Sequence, residues 1–408
     1  MLHRKKPELL APAGDFEKLQ MAVEYGADAV YVGGKQFGLR ANAKNFDEAE
    51  LANAIDYAHS HNVKVYVTAN IYAKNHDFES FENYLRRLHD INADGVLVAD
   101  LGAFDIARQI DGLDVHISTQ ANTTNYRSVE FYKNLGAKRV VLARELTIDE
   151  ICEINKHVAP FETEVFVHGA MCVAYSGRCL LSNYMVGRDA NRGDCAQSCR
   201  WKWHLTEEKR EIAQLPIFED ENGTYIMNSK DLCMIQHIPQ LVASGVSSLK
   251  IEGRMKSAYY VAVVTRAYRQ AIDDFFASPE LYESRKDYYL EELKKSSHRD
   301  FYTGFFFGTP DTVDGQNRET AVYTSTHDFV GVVLEYDAAE GIAVVQQRNK
   351  FSVGDEIEFM RAGFSQVVDG LWNSDGMVIE SAPHPQQVVR VKTMQPVDKF
   401  EILRKGLR

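Results

Sequence analysis

The sequence predicts an α/β fold: a (β/α)8 TIM-like barrel with a cysteine-rich insertion after its seventh strand, then a small C-terminal all-β barrel. Three observations predict it. Across residues 1–275, short β-branched or apolar runs alternate with amphipathic helical stretches at a spacing of one strand-helix unit. Five of the six cysteines crowd into residues 172–233. From about residue 319 the helical periodicity gives way to short strands broken by Gly and Asp turns.

Eight strand runs occur in order: Glu8-Leu-Leu-Ala11, Ala29-Val-Tyr-Val32, Lys64-Val-Tyr-Val-Thr68, Gly95-Val-Leu-Val98, Val115-His-Ile-Ser118, Arg139-Val-Val-Leu142, Glu164-Val-Phe-Val167 and Ser248-Leu-Lys-Ile251. The helical patterns between them include 15–25, 47–61, 128–135 and 148–156, and Asp15, Asp47 and Thr147 stand where N-caps are expected. Eight such units predict a closed barrel, with a doubly wound open sheet as the competing architecture. Gly33-Gly34 follows the second strand, but no Gly-x-Gly-x-x-Gly or Gly-Lys-Thr motif supports a nucleotide fold. The insertion spans 172–233, and a helix start is expected at Asn228-Ser-Lys-Asp-Leu-Cys233. A helical linker is expected over 276–318 and the β-barrel domain over 319–408. In that domain the strand runs are Phe329–Leu334, Gly341–Val345, Asp355–Phe359 and Val388–Lys392.

The chain has 408 residues, enough for two domains. No apolar stretch of signal length follows the basic start and no run is long enough to span a bilayer, so a cytoplasmic protein is expected. There thiols stay reduced, which disfavours disulfides and favours a metal. The net charge of −12 is not that of a general nucleic-acid binder. A local patch, Arg200-Trp-Lys-Trp-His204, still combines cations with aromatics that could stack on bases or simply form an amphipathic surface strand.

The thiols are Cys172, Cys179, Cys195, Cys199 and Cys233, with Cys152 upstream in a helical pattern. Zinc sites usually use two close Cys pairs, and only Cys195-x3-Cys199 has that spacing. Iron-sulfur clusters tolerate wider gaps. From spacing, a cluster, zinc and packed or redox thiols all remain open. A barrel places its chemistry at the C-terminal strand ends, which here offer Arg40, Asn70, Asp100, Gln120, Arg144, Glu145, His168, Lys250, Glu252 and Arg254.

Glu164-x-Phe166-x-x-Gly169-Ala-Met-Cys172-x4-Gly177-x-Cys179-x-x-Ser182 resembles the signature of the collagenase-like peptidase family, peptidase family U-32. Glu8-Leu-Leu-Ala-Pro-Ala-Gly14, Arg40 a few residues after Gly33-Gly34, and Ser248-Leu-Lys-Ile-Glu-Gly-Arg-Met-Lys256 resemble it too, in the same order. The resemblance covers nearly the whole chain. It implies a dioxygen-independent hydroxylase with a 4Fe-4S cluster rather than the protease of the family's name. Members acting on RNA use prephenate as the hydroxyl source. The size and appended β domain are most similar to members that convert the wobble uridine of tRNA to 5-hydroxyuridine.

By position, the resemblance implies Cys172, Cys179, Cys195 and Cys233 as cluster ligands, with zinc the second choice of metal and Cys199 a packed thiol, a substitute ligand or a redox thiol. Prephenate carries two carboxylates, so Arg40, Arg144, Lys250 and Arg254 are expected to bind substrate. His168, Arg144, Glu145, Lys250 and Glu252 are the expected catalytic set, with His168 either a proton donor, a partner of the cluster, or a satisfied core histidine. The expected partners are tRNA, prephenate, and a homologous subunit or second copy, with no membrane. Two other functions compete: a peptidase, although His-Glu-x-x-His and Gly-x-Ser-x-Gly are both absent, and a zinc-stabilised RNA-binding factor without enzymatic activity.

Overall fold

In a computed structural model, residues 5–39, 44–172, 175, 179–196, 198, 218–220, 223–225, 230–308 and 323–407 are described. The chain divides into two compact units, Met1–Leu290 with His298–Tyr323, and Glu291–Ser297 with Thr324–Arg408. The segment expected to link the domains is therefore shared between them.

In the first unit, β1 (Glu8–Pro12), β2 (Ala29–Gly33), β3 (Lys64–Thr68), β4 (Gly95–Val98), β5 (Asp114–Ile117), β6 (Arg139–Val141) and β7 (Glu162–Ala170) pair in parallel in that order. After a short antiparallel pair, β8 (Phe218–Asp220) and β9 (Gly223–Tyr225), come β10 (Asp231–Cys233) and β11 (Ser248–Ile251). Strand β11 pairs in parallel with both β7 and β1, which closes an eight-stranded barrel. The doubly wound alternative is thereby excluded. The helices are α1 (Phe16–Glu24), α2 (Glu48–Ser60), α3 (Phe78–Asp90), α4 (Leu101–Ala107), α5 (Tyr126–Asn134), α6 (Ile148–Val158), α7 (Leu181–Val186), α8 (Ile238–Ala243), α9 (Ala258–Ala277) and α10 (Pro279–Lys294). Asp15 caps α1, while Asp47 with Glu50 and Thr147 with Glu150 form capping boxes on α2 and α6. No described helix is long and apolar enough to cross a membrane.

The helix start expected before Cys233 is a strand instead. Strand β7 runs nine residues, past the barrel, and its projecting end offers an unpaired edge. Strand β10 covers that edge antiparallel, Asp231 opposite Ala170 and Cys233 opposite His168, and β12 (Phe301–Tyr302) adds to β10 in parallel. The helix begins only at Ile238, with Pro239 in its first turn.

The barrel interior carries charge. Arg139 bonds Glu8 at 2.6 Å, Glu162 at 2.8 Å and Glu164 at 3.1 Å. Lys250 bonds Glu164 at 2.8 Å, and Tyr66 and Ser248 donate to Glu8. Alternation explains the placement: Ser248 and Lys250 face inward, while Leu249 and Ile251 are buried toward the helices.

The second unit is antiparallel all-β. Its strands are β13 (His327–Asp337), β14 (Ile342–Gln347), β15 (Phe351–Ser352), β16 (Glu356–Phe359), β17 (Phe364–Val367), β18 (Leu371–Asn373), β19 (Ser381–Ala382), β20 (Val388–Lys392) and β21 (Ile402–Gly406). The main sheet runs β17-β16-β21-β13-β14-β20-β18. Its two terminal strands are consecutive in the chain, and the Gln366 amide donates to Lys392 O at 2.7 Å, so the sheet curls back on itself. Val330, Val345, Phe351, Phe359, Val389 and Leu403 are among the residues filling it.

Arg404 in β21 is fully buried and bonds Glu292 at 2.8 Å and Glu358 through Nε at 2.9 Å. Burial alone would raise the Glu358 carboxyl. The hydrogen bonds and charge of Arg404, then of Lys295, outweigh it and hold the group at about 2. Arg404→Ala leaves Glu292 and Glu358 to share Lys295 alone and is expected to cost roughly 3 kcal/mol, the low end for breaking a buried pair, read by calorimetric unfolding. Because the folded pKa lies below the ordinary 4.5, the Glu358 contribution is complete above pH 4.5 and disappears as pH falls toward 2. The variant's acid-unfolding curve should therefore lose its steep portion in that window.

Candidate active site at the barrel mouth

Three motifs that are far apart in sequence meet at one residue, Gly33 against its side chain and Gly14 against its backbone carbonyl. Arg254, three residues past β11, is buried and donates to Thr68 Oγ1 at 3.0 Å and to Asn45 Oδ1. The Thr68 hydroxyl donates onward to Val32 O at 3.0 Å. A Cβ on Gly33 would lie 2.0 Å from Arg254 Nη2, and one on Gly14 would lie 2.2 Å from Arg254 O. The glycines of the first two strand ends are thus needed to seat this arginine.

Across the mouth, Arg144 donates to Ala170 O at 3.1 Å, approaches Glu252 at 3.6 Å and lies 3.9 Å over the Phe166 ring. Its Nε is buried without a hydrogen-bond partner among the described residues. Beside it, burial raises the Glu145 carboxyl above its ordinary value, against the pull of its own backbone N–H and of Arg144. Asn70 donates to Ser118 and Gln120 and accepts from Leu39 N, while Tyr72 donates to Gln120 O. Asp100 caps α4. Arg144, Glu145, Glu252 and Arg254 therefore all stand at the C-terminal strand ends. Lys250 lies deeper, inside β11 and committed to Glu164. Arg40 lies outside the described residues.

His168 turns away from the mouth. Strands β7 and β11 shift register between Lys250 and Ile251, so His168 pairs with Ile251 where Val167 would otherwise stand. That one-residue bulge moves the imidazole to the helix side. There it lies against Tyr260, Tyr268 and Phe301. Burial, with lesser help from Lys256 and His298, lowers its pKa to about 3, so the ring is neutral. Cys233, opposite it in β10, is also buried, and burial pushes its thiol up to about 12.

Of the five described cysteines, Cys172 and Cys195 are exposed, Cys152 and Cys179 half-buried and Cys233 buried. Four thiolates are chemically the right donor set for an iron-sulfur cluster. As placed, however, no three Cys, His, Asp or Glu side chains among the described residues gather around one point. Cys199 and the patch 200–204 lie outside the described residues.

What the insertion does show is an anchor that no motif announced. Arg192, in a 3-10 turn of the insertion, clamps Asp77 through two bonds of 2.9 and 3.0 Å and donates to Tyr72 O at 3.0 Å. Asp77 immediately precedes α3, so the clamp ties the insertion after β7 to the loop after β3. The hydrogen bonds from Arg192 hold the Asp77 carboxyl at about 2, in spite of burial. Asp77→Asn or Arg192→Ala is expected to cost roughly 1.5–3 kcal/mol. Limited proteolysis should then cleave faster within 173–229, while cleavage elsewhere in the barrel is unchanged. In the unsubstituted chain the clamp is intact above pH 3.8 and weakens only as pH falls toward 2.

Comparison with known proteins agrees with this architecture. Residues 14–316 match the model of peptidase family U32, and residues 325–404 match that of the peptidase family U32 C-terminal domain. The chain is 45% identical over 406 residues to tRNA hydroxylation protein P1 of Bacillus subtilis, covering 98% of this chain and 95% of that protein. It is 45% identical over 304 residues to a protein of Methanocaldococcus jannaschii named as an uncharacterized protease, covering 74% and 73%. It is 36% identical over 266 residues to the 23S rRNA 5-hydroxycytidine C2501 synthase of Escherichia coli, covering 65% and 39%. With a barrel and a β unit matched in order along nearly its whole length, the chain belongs to peptidase family U32.

Proposed function

We propose that this protein is an enzyme that hydroxylates a base of tRNA. The observation that carries the reading is the 45% identity, along 98% of the chain, to a protein named for tRNA hydroxylation. A relative named for making 5-hydroxycytidine in ribosomal RNA supports the same chemistry on a second RNA. In its finer form, the substrate is the wobble uridine, the product 5-hydroxyuridine, the hydroxyl source prephenate rather than dioxygen, and the compartment the cytoplasm.

The mouth residues suit such a substrate pair. A base must leave its stack to reach a barrel mouth. Arg144 and Arg254 would hold the carboxylates of prephenate, each fixed in place by neighbours before substrate arrives. Glu145, whose carboxyl burial shifts upward, would hold or deliver a proton beside Arg144. Glu252 would orient Arg144. Lys250 would act from below by fixing the strands that carry these groups, and His168 would be a packing residue.

A cluster on Cys172, Cys179, Cys195 and Cys233 would supply electron transfer, with zinc as the second assignment. Binding would need these thiols to converge and Cys233 to lose its proton, so metal affinity would be coupled to a rearrangement of the insertion. Anaerobically purified protein should hold about four irons and four sulfides per chain, and each Cys→Ala change at the four positions should lower both. Iron-free protein after reconstitution would remove the cluster from the reading.

The relative named as a protease favours peptidase activity as a second reading. Cys233 and His168 do face each other across β10 and β7. Burial holds both neutral, whereas a cysteine peptidase needs a thiolate. The deciding experiment is deletion of the gene followed by mass spectrometry of tRNA nucleosides. Loss of 5-hydroxyuridine and its derivatives, restored by the intact gene, is expected. Unchanged levels in a strain with no parallel pathway would overturn the reading.

A further inference from the structure

The second unit carries an aromatic and cationic face that the barrel-mouth chemistry does not use. Trp372 in β18 stands directly opposite Arg390 in β20. Leu371, Val389 and Val391 are buried in the core, so alternation puts Trp372, Arg390 and Lys392 together on the outer face. A Cβ on Gly370 would lie 2.5 Å from the Trp372 ring and 3.3 Å from Lys392 Cβ. The indole therefore folds back over Gly370, alongside Lys392. Val378, which bridges to Trp372, is 78% exposed and widens the apolar surface.

Lys295, Arg361, Arg404 and Lys405 all pair with carboxylates. Arg390 and Lys392 make no side-chain hydrogen bond or ion pair with another described residue, and Arg390 Nε is buried without a partner. On the same face, Glu335 and Asp337 lie beyond the intervening strand β14, and alternation from Val378 places Glu380 at the edge beside Gly370. A half-buried ring edged by the half-buried Arg390 and the exposed Lys392, neither of them ion-paired, is complementary to an aromatic anion. Unpaired bases strung on phosphates have that chemistry.

We propose that this face takes a single-stranded stretch of RNA, with one base stacked on Trp372 and adjoining phosphates on Arg390 and Lys392. The proposal rests on the RNA-hydroxylation reading above and adds where the RNA is held.

The test is tRNA binding by the full-length protein across a salt series, with 5-hydroxyuridine formation measured in parallel. Trp372→Ala should weaken binding about tenfold or more, as loss of one base stack does, with the salt slope unchanged. Trp372→Phe should restore most of the affinity. The double variant Arg390→Gln with Lys392→Gln should lower the slope of log affinity against log salt by about 1.4, two single-strand phosphate contacts' worth. Full affinity and slope in all three variants, with hydroxylation intact, would overturn the proposal and leave the RNA reading standing. If the unsubstituted protein binds no tRNA, both fall. A Trp372→Ala protein that melts lower, and is not rescued by Phe, would make the ring structural and overturn the proposal. So would variants that keep tRNA but lose a co-purifying protein.

Discussion

The barrel depends on a buried ion network that must be complete. Arg139 reaches from β6 to Glu8 on β1 and to Glu162 and Glu164 on β7, Lys250 on β11 completes Glu164, and Tyr66 brings in β3. Five of the eight strands are cross-linked by a handful of charges. Burial opposes ionisation of Glu164, but the charges of Lys250 and Arg139 outweigh it and lower its pKa. Removing one member would leave an uncompensated charge in low dielectric, which costs far more than the intact network contributes. His116 shares this interior and, through burial and then the nearby Arg139 and Lys250, is kept neutral. An apolar barrel core would tolerate small register changes, whereas directional bonds to Arg139 do not. The network thereby fixes the strand ends above it.

What it fixes is the mouth. Arg254 fits only because Gly14 and Gly33 lack side chains, and its hydrogen bonds run to Asn45 in the connection after β2 and to Thr68 at the end of β3. Arg144 stands on a ring face and a backbone carbonyl. Both guanidinium groups are held before anything binds, so little side-chain freedom remains to be lost on meeting a carboxylate. The short family motifs are thus a single structural unit: a cation, its supports, and the glycines that make room for it.

The eight barrel strands were legible because β-branched runs and capping residues recur in step, and Asp15, Asp47 and Thr147 each cap as read. Other features had no local signal. The bulge that turns His168 toward α9 is a register shift against β11, and register belongs to two segments rather than one. Lys250 reads as a strand-end cation but is the third of four strand residues, paired across the interior. Strand β10 forms because β7 overshoots the barrel, a length that the run 164–167 does not disclose. In the second unit, the alternating runs behind β13, β14, β16 and β20 were found. The short β15, β17, β18 and β19 were missed, as was β21, whose Ile-Leu-Arg-Lys hides a buried arginine. The Arg192–Asp77 clamp joins positions 115 apart, and neither residue sits in a motif.

Net charge sets the last constraint. A chain at −12 repels a polyanion at long range, so RNA cannot be gathered by a general positive field. Recognition must come from short-range contacts strong enough to work once the two are close, and base stacking is insensitive to that field. Long-range repulsion is screened by salt while direct phosphate contacts are weakened by it. The two trends oppose each other, so the net salt dependence of binding is shallower than the number of phosphate contacts alone would give. On the proposed face, an acidic surface with two unpaired cations beside a half-buried ring would give up association rate for discrimination. Duplex RNA offers no free base to stack, and its charge alone is not enough to hold it.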